Sequence, residues 1–197
     1  MKIVGLTGGI ATGKSTISQY LLTKNIPVID CDLIARQVVE KDTIGLQQLI
    51  AAFGEEILTD SKELNRAKLG NIIFNHQEKR QLVNQIVHPL IDVEMKKQIE
   101  NYQLMNKQLV VLDIPLLFEE NYQTWCDEVL VVYIPTKLQL TRLMQRNQLS
   151  QEEAKSRIHS QMPIDEKKLL ANRVVDNSQS LEKTYQQVDK WLLENTL

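Results

Sequence analysis

The stretch "GLTGGIATGKST", Gly5–Thr16, directly follows the apolar pair Ile3-Val4, and its reading decides the fold. It holds Gly8, four further residues, then Gly13-Lys14-Ser15, the Walker A spacing set between a strand signal and a helix signal. Glycines let the backbone curl until its N–H groups face phosphate oxygens, and the start of the next helix adds partial positive charge. Lys14 is expected to reach the β- and γ-phosphates, Ser15 to ligate Mg²⁺ through its hydroxyl, and Thr16 to begin the helix proper. The expected nucleotide-binding residues are Gly9, Ile10, Ala11, Thr12, Gly13, Lys14, Ser15 and Thr16, and the ligand is a nucleoside triphosphate.

The 197 residues suit one well-packed domain with a small inserted subdomain. With 43% hydrophobic and 24% charged residues, the composition is that of ordinary globular proteins. A formal net charge of -2 exerts no global pull toward nucleic acid or anionic membrane. Cys31 and Cys126 stand in no metal or redox spacing and read as two reduced thiols. No apolar run approaches the roughly 20 residues of a membrane helix. No charged start followed by an apolar stretch and a cleavage site opens the chain, so the expected location is the cytoplasm.

Short apolar runs alternate with longer segments of helical period, the pattern of a parallel sheet covered by helices. The strand candidates are Ile3–Leu6, Pro27–Ile29, Leu109–Leu112, Val129–Ile134 and Val174-Val175, whose Val/Ile/Leu runs suit strands buried on both faces. Two helical stripes stand out, Leu82/Ile86/Leu90/Val93 and Leu181/Tyr185/Val188/Leu192, and both read as packing faces. From Lys137 to Arg173, eight Lys/Arg stand against four Asp/Glu, a local excess suited to phosphate contact after a nucleotide-binding core.

Several classes share such a loop. A GTPase carries an Asn-Lys-x-Asp guanine reader, whereas Asn106-Lys107-Gln108-Leu109 lacks the Asp. A GTPase also places Gly three residues after the Asp ending its third strand, where Asp113 is followed by Ile114-Pro115-Leu116. The chain is short for a motor, which leaves a compact kinase. "VIDCDLIAR", Val28–Arg36, ends the second strand candidate in Asp30 and Asp32. Strand carboxyl ends line the ligand crevice of a doubly wound sheet, and a carboxylate there can orient an acceptor hydroxyl and take its proton. Capping the next helix is the competing reading of Asp32.

Four segments in order, Thr7–Thr16, Val28–Arg36, "IVHPLI" (Ile86–Ile91) and "DIPLLFE" (Asp113–Glu119), resemble the dephospho-CoA kinase family, and the resemblance covers almost the whole chain. It implies an α/β P-loop NTPase fold of the nucleotide-kinase-like, three-layer kind, with a five-stranded parallel sheet core, a helical substrate domain and a lid. The implied division of this single domain is a core at about 1–35, 105–136 and 172–197, a helical acceptor-binding subdomain at about 36–104, and a lid at about 137–171. The implied reaction is transfer from ATP to the ribose 3′-hydroxyl of dephospho-CoA, in a monomer or small homo-oligomer with no nucleic-acid or membrane partner.

By position, the resemblance makes Asp32 the catalytic carboxylate, with Asp30 the weaker candidate, and Asp113 a Mg²⁺-side acid. Leu116, Leu117 and Phe118 become an acceptor wall, for which core packing is the alternative. His88 becomes an acceptor contact or a brace at a helix start, with Pro89 in its first turn. Arg66 becomes a clamp on an acceptor phosphate, or a salt-bridge partner. Arg142 and Arg146, four apart on one helix face, become lid cations, Arg142 being the catalytic one. Arg157, Gln161 and Lys167 or Lys168 rank lower in that lid, the lysines suiting solvated positions. Asn177 marks the turn near adenine. The chain departs from the family pattern at Asn172-Arg173, at Gln179 where a Gly is usual, and at Asn65 where an Asp is usual. The rival readings are another small P-loop kinase and an ATP-binding switch with little turnover.

Overall fold

The structure, a computed structural model, describes residues 1–74 and 76–195. The last two positions of the expected core segment 172–197 therefore lie outside the described residues. Five strands form one sheet: β1 (Lys2–Gly8), β2 (Val28–Asp30), β3 (Leu109–Asp113), β4 (Glu128–Tyr133) and β5 (Arg173–Asp176). Their order is β2-β3-β1-β4-β5, and every neighbouring pair is parallel. Parallel pairing brings all the carboxyl ends to one rim, where Leu6 pairs with Asp113, Gly8 with Val132 and Asp30 with Asp113. The sheet grows to either side of β1, so the loop leaving β1 stands at the topological switch point.

The three central strands β3, β1 and β4 are buried on both faces, as their uninterrupted apolar runs predict, whereas the edge strands β2 and β5 each bury one residue, Ile29 and Val175. Val4, Leu6, Val111, Leu130, Val132 and Val175 pack with Ile17 and Leu21 of α1 (Lys14–Thr23) and with Val188, Trp191 and Leu192. The last three belong to the C-terminal helix (Leu181–Asn195), labelled α9 below in chain order. The opposite side chains Val110, Leu112 and Val131 are also fully enclosed. On that side a Cβ at Gly5 would stand 2.4 Å from Leu117 Cδ1, so the glycine makes room for the loop after β3.

The chain folds as two compact units, one of Met1–Asp30 with Asn101–Leu197, which contains the sheet, and a helical one, Cys31–Glu100. The helical unit carries α2 (Cys31–Gln37), α3 (Ile44–Phe53), α4 (Arg66–Phe74) and most of α5 (Gln77–Leu104). Its core is Val39, Leu46, Leu49, Ile57, Leu58 and Leu69, backed by Val83, Ile86 and Val87. The sheet unit also carries α6 (Thr136–Asn147), α7 (Gln151–His159) and α8 (Ile164–Leu170). Leu143, Ala154 and Ile158 of α6 and α7 form a separate cluster that takes in Ile10 and Ala11.

Four sequence expectations are corrected. The helix after the glycine loop starts at Lys14, with Gly13 as its N-cap, two residues before Thr16. Pro89 lies inside the 28-residue α5, not in a first turn, so His88 braces no helix start. Of the expected stripe on α5, Leu82 is 39% and Val93 65% exposed, while Ile91 and Met95 are buried. Ile86 of that stripe does pack on the helical core, but one residue is about 100° of helix rotation, so a face read from Leu82 lies to one side of Val83 and Val87. On α9 the expected leading residue Leu181 is exposed, and Thr184 takes the inward position. Tyr185 instead stacks on Tyr20, ring centroids 3.9 Å apart.

Neither Cys31 nor Cys126 forms a disulfide, and burial pushes the Cys126 thiol up to about 12, which leaves it protonated and unreactive near neutral pH.

Candidate active site

The loop between β1 and α1 is held from several directions. Gly13 has φ +95°, in the left-handed region, and a Cβ there would stand 2.1 Å from Asn177 Nδ2. Ala11 also adopts positive φ, at 62°. Thr12 is fully buried, and its hydroxyl donates to the Gly9 carbonyl at 2.9 Å. Asn177, just past β5 and 4% exposed, donates from Nδ2 to the Thr12 carbonyl at 2.8 Å and accepts from the Thr184 hydroxyl at 2.9 Å. Its side chain therefore braces the loop, a more specific task than the expected place beside adenine.

The Ile10 peptide is gripped on both sides. Gln139 of α6 donates to its carbonyl at 2.9 Å, and its N–H donates to Gln161 Oε1 at 2.8 Å. Gly9 permits this approach, since a Cβ there would meet Gln139 Nε2 at 2.5 Å.

A helix cannot satisfy its first N–H groups internally. At α1 no side chain caps them and no acidic residue stands in the first turn. The end of the loop is thus an uncompensated positive pole suited to phosphate. Gly13→Ala is expected to weaken ATP binding at least tenfold. The left-handed backbone alone costs an L-residue about 1–2 kcal/mol, and the Asn177 brace must also move. Calorimetric titration with ATP checks this, and an unchanged affinity would show that the brace yields freely.

Behind the loop, the Lys14 ammonium pairs with Asp113 Oδ1, and the Ser18 hydroxyl donates to Asp113 Oδ2. Asp113 is 4% exposed at the carboxyl end of β3. Asp113, the expected Mg²⁺-side acid, thus lies between the phosphate-loop lysine and Ser18, a serine one turn further along α1 that the sequence reading passed over. Ser15 is exposed and Thr16 half-buried in the first turn of α1.

Among the expected wall residues, Leu117 is fully enclosed and Phe118 8% exposed, leaving half-buried Leu116 the more accessible. Arg142 is half-buried on α6, while Arg146 is exposed and donates from Nε to Asn147 Oδ1 at 2.8 Å. Lys168 stands over the Tyr133 ring at 4.1 Å. Lys167, expected in solvent, has no exposed side-chain surface.

Asp32, Arg66 and His88 belong to the helical unit. Asp32 is exposed in the first turn of α2, two residues beyond Asp30, the last residue of β2. Arg66 opens α4, donates to the Arg36 carbonyl at 3.2 Å, and lines a cavity of ≈ 350 Å³ with Val39, Glu40, Lys41, Glu63 and Leu64. His88 is half-buried in mid-α5.

A family model for dephospho-CoA kinase, CoaE, matches residues 2–183. The chain belongs to the dephospho-CoA kinase family. The dephospho-CoA kinase of Oceanobacillus iheyensis is 50% identical over 190 residues, covering 96% of each chain. The solved dephospho-CoA kinase from Campylobacter jejuni superposes with a TM-score of 0.76 at 32% identity, over 98% of this chain and 97% of that one. The solved protein TT1252 from Thermus thermophilus superposes with a TM-score of 0.83, also at 32% identity and with the same coverage. Dephospho-CoA kinases use ATP to phosphorylate dephospho-CoA, giving coenzyme A. Among the described residues no helix is long and apolar enough to cross a membrane.

Residues that the sequence reading missed include Gln139, Ser18 and Thr184. The Gly8-Gly9 doublet was a signal for the first, because consecutive glycines mark a place where another group comes close to the backbone. Ser18 stands four residues after Lys14, on the same face of α1, and that spacing was its signal.

Proposed function

We infer that this chain transfers the γ-phosphoryl group of ATP to the ribose 3′-hydroxyl of dephospho-CoA, releasing coenzyme A and ADP. The family match across residues 2–183 carries the reading, and the braced phosphate loop supplies the donor half of the chemistry. In this reading the N–H groups at the start of α1 and the Lys14 ammonium hold the β- and γ-phosphates. Lys14 leaves Asp113 to do so. Asp32 orients the acceptor hydroxyl and accepts its proton as the oxygen attacks phosphorus in line, and the phosphorus–oxygen bond to ADP breaks.

Arg142, with Arg146 beside it, neutralises charge on the transferring group from the 137–171 lid, while 36–104 receives the acceptor. Arg66 and His88 are assigned to that acceptor side, along with Leu116 and its neighbours Leu117 and Phe118. Asn177 acts from beneath the loop. Mg²⁺ fits the donor set, because the Ser15 hydroxyl and the Asp113 carboxylate are hard oxygen donors at the mouth and back of the loop. When bound, the ion neutralises charge on the β- and γ-oxygens. The proposed setting is the cytoplasm.

The test is ADP release from ATP with Mg²⁺, with and without dephospho-CoA, beside a panel of nucleosides and nucleoside monophosphates. Turnover that appears with dephospho-CoA alone is the expected result. Turnover with a nucleotide instead would keep the donor site and overturn the acceptor, and silence throughout would favour an ATP-binding switch.

A further inference from the structure

A lysine is rarely enclosed without a specific partner, yet Lys167 of α8 has no exposed side-chain surface. Its ammonium donates to the Pro115 carbonyl at 2.8 Å and pairs with Glu119 Oε1 at 2.9 Å. Pro115 follows Asp113 by two residues, and Glu119 closes the same loop, so both ends of Leu116–Phe118 are fixed by one cation. The Thr7 hydroxyl donates to the same Pro115 carbonyl at 3.0 Å, tying it to the end of β1. Glu119 Oε1 also accepts the Met162 N–H at 2.9 Å. Met162 follows Gln161, the residue that receives the Ile10 N–H of the phosphate loop. Glu119 Oε2 is buried with no hydrogen-bond partner among the described residues, so Lys167 is the cation that offsets its charge. Burial pushes the Lys167 ammonium below its ordinary value, Glu119 opposes that, and the positive charge of Lys14 adds to it.

We propose that Lys167 is a positioning residue for phosphoryl transfer, holding the Asp113–Glu119 loop and, through Glu119, the Gln161 contact to the phosphate loop in one arrangement. The proposal rests on the functional reading above and deepens it. Misplacing reacting groups by about 1 Å can cost about 10²-fold in rate, and loss of this cation frees two loops at once.

The experiment compares the full chain with Lys167→Met, Glu119→Gln and the double variant, measuring kcat, KM for each substrate, ATP affinity by calorimetry, and Tm. Lys167→Met is expected to lower kcat by about 10²-fold and to raise KM for dephospho-CoA more than it weakens ATP binding. It should also lower Tm, because the half-buried Glu119 carboxylate then has no cation beside it. The double variant separates the two roles. Removing the uncompensated carboxylate is expected to restore Tm, while turnover stays low because the Pro115 carbonyl has still lost its ammonium. If the double variant regained kcat within about twofold of wild type (under 0.5 kcal/mol in barrier), Lys167 would serve charge balance alone and the proposal would be overturned. The proposal would equally be overturned by a folded Lys167→Met with unchanged kcat and KM. A wild-type chain that gave no ADP with dephospho-CoA would instead sink the functional reading, a result visible before any variant is made.

Discussion

Asp32→Asn is expected to lower kcat for acceptor phosphorylation by about 10²–10⁴-fold, the range for removing a general base, while ATP affinity stays near that of wild type. The separation follows from chain position. The groups assigned to the β- and γ-phosphates lie in the loop after β1, in α1 and in the 137–171 segment, whereas Asp32 lies in the first turn of α2. Asparagine keeps the shape of the side chain and is also at home at a helix start, so the fold loses little. What it loses is the ability to accept a proton. Steady-state kcat, with ATP titration and Tm as controls, checks the prediction. Near-normal turnover would pass the role to Asp30, which ends β2 in register with Asp113.

Lys14→Ala should act on two quantities at once. Turnover is expected to fall by about 10²–10³-fold or more, because a preorganised charge facing the phosphates is removed. Stability should fall as well, since the Asp113 carboxylate stays buried beside the Ser18 hydroxyl after its cation has gone. Breaking a buried ion pair costs about 3–5 kcal/mol at full burial, and the Ser18 hydrogen bond offsets part of that. Adding Asp113→Asn to Lys14→Ala removes the stranded charge, so Tm should recover while activity does not. Recovery of both would show that Lys14 serves the fold and not the phosphate.

How much of this was readable beforehand depended on whether a residue's role is local. The phosphate loop was legible because glycine freedom, a following helix and a lysine all lie within twelve residues. All five strands were legible as short apolar runs. Their order around β1 is a pairing of distant segments, which no local pattern in the sequence carries. The face of α5 was misread because Leu82 and Val93 look as apolar as Val83 and Val87, and the choice between them is made by what packs on the helix. Pro89 was read as a helix start, although a long helix can keep a proline inside when the rest of its ladder holds. Lys167 was expected in solvent because its burial depends on Pro115 and Glu119, some fifty residues earlier. A separation of 165 residues likewise hid the brace from Asn177 to Thr12.

The central place of β1 has a consequence for how the chain is made. Its register partners begin with Leu109 on one side and Glu128 on the other. At about 5–20 residues per second of synthesis, β1 leaves the ribosome roughly 5–20 s before the first of them exists. Throughout that interval Ile3, Val4 and Leu6 have no strand to pair with. Until then the apolar side chains of β1 are without their native cover, and the sheet closes late, around its oldest strand.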